Sequence, residues 1–199
     1  MKNTLQDIKD IAPMSGASGG RSDDPVRADY EEGRRFLENQ SYAQAAVSLH
    51  NALLGFEERG DEAGVANASN QLGHVCLARQ DFEQARAHYQ KAWDICETMQ
   101  DPMSQIALQK KFIEVYCGLK DYRKATEICL GLLDTYYHNN DPRGTVELLE
   151  QMATIYVASG DRSKAVDAYR TVASIHRNFK HLNIAESYEK KAAEIEQAA

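Results

Sequence analysis

The sequence predicts an all-α solenoid of about four helical hairpins with a C-terminal capping helix. Three observations predict it. One phrase returns every 40 residues, as "QSYAQAAVSLHNAL", "QDFEQARAHYQKAW", "KDYRKATEICLGLL" and "GDRSKAVDAYRTVA". A fixed period of this size marks units that stack on their neighbours. Apolar residues in and before each copy recur at three- and four-residue steps, which is one face of a helix. Finally, the 199 residues hold only 4 prolines and 12 glycines, few for a sheet protein with many tight turns.

The elements follow in chain order. Residues 1–22 read as a disordered or linker-like tail, since "MSGASGG" is linker-like. Leu5, Ile8 and Ile11 stand at helical spacing, so a short docking helix is the alternative. The solenoid domain then covers 23–199, with repeats at about 24–60, 61–100, 101–140 and 141–180 and a capping helix at 181–199. Each repeat holds two helices. The first is visible in "VELLEQMATIYVASG", where Val146, Leu149, Met152, Ala153 and Tyr156 share a face. The second is visible in "RSKAVDAYRTVASI", through Ala165, Val166, Tyr169, Val172 and Ile175.

First helices open with Asp24-Pro25, Asp101-Pro102 and Asp141-Pro142, and Asp61 holds the same place in the second repeat. The Asp accepts free amide protons of the first turn, and Pro has none to satisfy. Short links such as "RQ" and "SG" imply tight antiparallel hairpins. Ala45, Ala85, Ala125 and Ala165 repeat at the same step. Their small side chains let the two helices of a pair approach closely. The last helix, "HLNIAESYEKKAAEIEQAA", backs its apolar residues with Glu and Lys, as the end of a stack requires.

Composition narrows the function. A net charge of -7 disfavours non-specific contact with nucleic acid or an anionic membrane. No apolar run has the length of a signal peptide or of a membrane span, so a cytoplasmic protein is expected. Cys76, Cys96, Cys117 and Cys129 form no CxxC pair and fall in helix-like segments, so they read as reduced thiols in or near the core. There is no HExxH, P-loop or GxSxG motif, and the six histidines show no ligand spacing with cysteine. No catalytic activity, metal or cofactor is expected.

The stretch "NQLGHVCLARQDFEQARAHYQKAW" resembles a tetratricopeptide repeat. Leu72, Gly73, Phe82, Ala85, Tyr89 and Ala92 stand where that family keeps Leu, Gly, aromatic, Ala, aromatic and Ala. The other repeats match more loosely. Gly33 keeps the glycine, but Ile113 and Ala153 replace it, and Arg162 replaces the first aromatic. The usual period is about 34 residues, so this chain resembles the long-helix class of polarity adaptors, kinesin light chains and bacterial peptide-sensing regulators. Armadillo and HEAT repeats share the longer period, but the residue order argues against them.

The resemblance implies that first helices line a concave groove that binds a peptide or partner segment. Its groove positions fall on Arg27, Tyr30 and Arg34, on Asn67, Asn70 and His74, on Lys110 and Glu114, and on Glu147, Glu150 and Thr154. The row runs from basic, through amides, to acidic. Arg27 and Arg34 would attract an acidic stretch of the guest, while Asn67 and Asn70 would hold its backbone. The chaperone-binding clamp of the family is a poor match, because Tyr30 and Arg34 occupy its places. The expectation is a protein-binding adaptor with no nucleic-acid or membrane partner. The alternatives are a scaffold that forms weak homo-oligomers through its solenoid ends, and a peptide-sensing regulatory module.

Overall fold

The computed structural model describes residues 23–197, so the expected tail at 1–22 lies outside the described residues. Among these residues there are nine helices and no strand. They are α1 (Pro25–Glu38), α2 (Tyr42–Glu58), α3 (Glu62–Ala78), α4 (Phe82–Thr98), α5 (Pro102–Gly118), α6 (Tyr122–His138), α7 (Pro142–Ser159), α8 (Arg162–Asn178) and α9 (Leu182–Gln197). They form two compact units, one ending at Leu119 and one beginning at Lys120. The fold is a tetratricopeptide-type helical solenoid.

The turns obey a finer period than the packing. Every twentieth residue has a left-handed backbone: Gln40, Gly60, Gln80, Gln100, Lys120, Asn140, Gly160 and Lys180 all have positive φ. The residue after each begins the next helix. Asp61, Asp81, Asp101, Asp121, Asp141 and Asp161 each accept a backbone N–H from the following first turn. The helix behind is closed by a Schellman bond, such as the Asp61 N–H donating to the Phe56 carbonyl at 3.0 Å. The same bond joins Ser41 to Phe36, Asp81 to Cys76, Asp101 to Cys96, Asp141 to Tyr136, Asp161 to Tyr156 and His181 to His176. One device therefore both stops one helix and starts the next.

In the first unit, α1 pairs with α2 and α3 with α4, and α5 packs on α4. Gly33 receives Leu49, and Gly73 receives the Tyr89 ring. A Cβ at these glycines would lie 2.6 Å from Leu49 Cγ and 2.5 Å from Tyr89 Cε1. Glycine is required at both because the second helix fills the space that a side chain would occupy. A cluster of Ala45, Leu49, Ala52, Leu53, Phe56, Val65, Ala68, Leu72 and Val75 continues through α2 and α3. Arg59, just past α2, grips both Asp24 oxygens at 2.8 and 2.7 Å and so ties down the start of α1. This guanidinium holds the Asp24 carboxyl below its usual value. Ala85 is fully buried in the α3/α4 contact. Ala85→Leu is expected to lower the unfolding free energy by about 1–3 kcal/mol, read as an earlier urea midpoint; an unchanged midpoint would contradict this packing.

In the second unit α6 packs on α7, α7 on α8 and α8 on α9. Ala125, Ala165, Leu132, Ala153 and Val172 are fully buried there. Helix α9 buries little beyond Ala185 and Ala192 and turns Glu186, Lys190 and Glu194 outward. Two ion pairs fasten it to α8, Arg170–Glu196 at 2.8 Å and Arg177–Glu189 at 3.0 Å. The four cysteines are free; Cys96 and Cys129 are buried, and Cys76 and Cys117 half-buried. Burial pushes the thiols of Cys76, Cys96 and Cys117 up, which makes them poor nucleophiles.

Candidate functional site

Helices α1, α3 and α5 all lie in the first unit and carry eight of the candidate residues. On α1, Arg27 is exposed, with Nε 3.8 Å from Asp24. One turn on, Tyr30 is half-buried, with its ring edge-on to Phe56 at 6.1 Å. Burial raises its phenol pKa, against the opposing influence of the Arg34 charge and the Gln71 side chain. Arg34 is half-buried, 3.8 Å from Glu38.

On α3, Asn67 and His74 are half-buried, while Asn70 keeps only 2% of its surface. The i, i+3, i+7 spacing fixes the direction of Asn70 along α3, and its depth follows from packing that the spacing does not show. Its Oδ1 has no hydrogen-bond partner. Such an acceptor is held out of water at a penalty of about 1–3 kcal/mol. His74 Nδ1 is hydrogen-bonded to the Tyr89 hydroxyl at 3.0 Å, and the two rings meet edge-on at 5.6 Å.

On α5, Lys110 and Glu114 are exposed, and Glu114 pairs with Lys111 at 2.9 Å. Burial, aided by the Glu114 charge, pushes the Tyr89 phenol far above its usual pKa. Tyr89 therefore stays neutral and serves as a buried strut for His74. Reading the sequence missed Gln71 and the strut role of Tyr89. Gln71 lies beside Asn70 in the chain, and its type was the signal available. The His74–Tyr89 bond crosses between helices and has none.

The remaining three candidates lie on α7, in the second unit. Arg143 Nε donates to Glu147 at 2.9 Å. Glu150 accepts from the Tyr188 hydroxyl of α9. The Thr154 hydroxyl donates to the Glu150 carbonyl at 3.1 Å. Glu147 and Thr154 thus have partners within one helical turn, and Glu150 has one on another helix. Eight of the candidates thus lie in the first unit, and these three lie in the second.

Comparison with known proteins agrees with this architecture. The family described as soluble NSF attachment protein, SNAP, matches residues 17–140, and a tetratricopeptide repeat matches 148–183. The Tonsoku-like protein of Danio rerio is 24% identical over 149 residues, 75% of this chain. The chain spans only 10% of the length of that relative. Among solved structures, the apo form of RapI superposes with a TM-score of 0.65 at 10% identity, over 90% of this chain and 86% of that one. Aspartyl phosphate phosphatase F from Bacillus subtilis gives 0.61 at 11%, over 88% and 61%. At these identities the likeness is one of fold. No helix among the described residues is long and apolar enough to cross a membrane. With the attachment-protein match over more than half its length and a tetratricopeptide repeat beyond it, the chain belongs to the soluble NSF attachment protein family and is built from tetratricopeptide-type repeats.

Proposed function

We propose that the chain is a non-enzymatic adaptor, and that the α1–α3–α5 face of its first unit holds an extended segment of a partner protein. One observation carries the reading: the floor of this face is polar yet sunk below the surface. Tyr30, Asn67, Gln71 and His74 are half-buried, and Asn70 is buried with an unused acceptor. A guest backbone N–H that met this acceptor, after a turn of the side chain, would recover the penalty it carries. Arg27 and Arg34 at one side favour a guest with acidic residues there, and would set its register and rate of arrival. The negative net charge fits a protein partner better than nucleic acid or an anionic membrane. Four free cysteines fit a reducing, cytoplasmic setting.

The test is selection of a random peptide library on the full chain, followed by fluorescence polarisation with the enriched peptides. Acidic peptides are expected. Arg34→Glu should weaken them at least tenfold, about 1.4 kcal/mol. Asn70→Ala should also weaken them while leaving the urea midpoint unchanged or higher, since it removes an unsatisfied group. Failure to enrich any peptide, or equal binding by both variants, would overturn the assignment.

A further inference from the structure

Repeat comparison inside the chain isolates one turn. The residue that closes each helix by its carbonyl is apolar or aromatic six times: Phe36, Phe56, Cys76, Cys96, Tyr136 and Tyr156. Its partner across the Schellman bond is Ser41 once and Asp five times, at Asp61, Asp81, Asp101, Asp141 and Asp161. Between α8 and α9 both places change, to His176 and His181. A 2.9 Å backbone bond joins the two residues, and their ring centroids lie 5.7 Å apart.

Their Nδ1 atoms lie 3.4 Å apart. That is long for a hydrogen bond from N–H, whose usual range is about 2.7–3.2 Å. It matches two ligands on one tetrahedral ion: zinc–nitrogen bonds of about 2.0–2.1 Å at the tetrahedral angle separate the nitrogens by about 3.3–3.4 Å. A square-planar ion with similar bonds would need about 2.9 Å.

Each ring also has an aromatic neighbour. Tyr188 stacks on His176, with centroids 5.6 Å apart and planes 4° from parallel. The Tyr188 hydroxyl is anchored on Glu150 and its other contacts include Lys191 Nζ at 4.6 Å from the ring centre. Phe179 stacks on His181 at 6.3 Å and 24°. Such stacking reduces the freedom that each ring has left to lose when an ion binds.

We propose that His176 and His181 form a two-histidine site for a tetrahedral transition-metal ion, zinc(II) being the best fit. Among the described residues no group of three or more His, Cys, Asp or Glu is placed to hold a metal. The protein therefore supplies two ligands, and water fills the other positions. The site is open to exchange and lies on the turn that fastens α9.

Zinc titration of the full chain, followed by calorimetry and by the ¹⁵N signals of the histidine rings, tests this. One saturable zinc per chain is expected, with the Nδ1 signals of His176 and His181 shifting together. His176→Gln and His181→Gln should each weaken binding at least tenfold, and His138→Gln should leave it unchanged. Both sites are partly or fully exposed, and circular dichroism should show the variants as helical as the parent. Absence of saturable binding at millimolar zinc overturns the proposal. So does unchanged affinity in either substituted pair member, or an equal loss in His138→Gln.

Discussion

Tyr89→Ala is expected to lower the unfolding free energy by about 3–5 kcal/mol, the range for removing a large buried aromatic. The ring is fully buried and fits onto Gly73, which has no side chain to fill the hole. It also meets Phe112 at 6.2 Å and His74 at 5.6 Å, so three helices lose a shared contact. Urea denaturation followed by circular dichroism measures the loss. Tyr89→Phe separates the causes. It keeps the packing and removes only the bond to His74, for about 1 kcal/mol. A Tyr89→Ala protein within about 1 kcal/mol of the parent would contradict a close α3/α4/α5 contact at this ring.

The opposite sign is expected at the turns. Gln40, Gln80, Gln100, Lys120 and Lys180 hold φ values between 55° and 62°. Side chains with a Cβ are penalised there by about 1–2 kcal/mol. Glycine escapes that penalty but loses more freedom on folding, by about 0.5–1 kcal/mol. Each replacement by glycine should therefore stabilise by about 0.5–1 kcal/mol. The sites lie 20 or more residues apart in the chain and share no side-chain partner in the hydrogen bonds or ion pairs described, so their effects should largely add. The fivefold variant should gain about 2.5–5 kcal/mol, or roughly 10 °C in Tm for a chain of this size. Glu127→Gly, at an exposed position inside α6, should instead lose about 1 kcal/mol. A fivefold variant that melts no higher than the parent would sink the explanation.

The packing was legible in the sequence because packing constrains side-chain volume. Ala45, Ala85, Ala125 and Ala165 had to be small, and all four are fully buried. The caps at Asp24, Asp61, Asp101 and Asp141 were legible because they need a particular oxygen. The 20-residue rhythm of the turns was not, since Gln, Lys and Asn at those places obey a backbone geometry that their types do not advertise. Only Gly60, Gly160 and Asn140 carry a visible sign of it. The site was legible in direction but not in depth. Spacing put Asn67, Asn70 and His74 on one side of α3, yet the burial of Asn70 depends on neighbours far along the chain. The partners of Glu147 and Thr154 lie within one helical turn and were open to inspection, whereas the bond between Glu150 and Tyr188 spans 38 residues.

The Schellman turns have a wider consequence. A junction that asks its occupant only to bend the main chain leaves the identity of that occupant almost unselected. Letters there can drift while the path of the polypeptide stays put. A molecule assembled from such joints can hold its form while its text drifts.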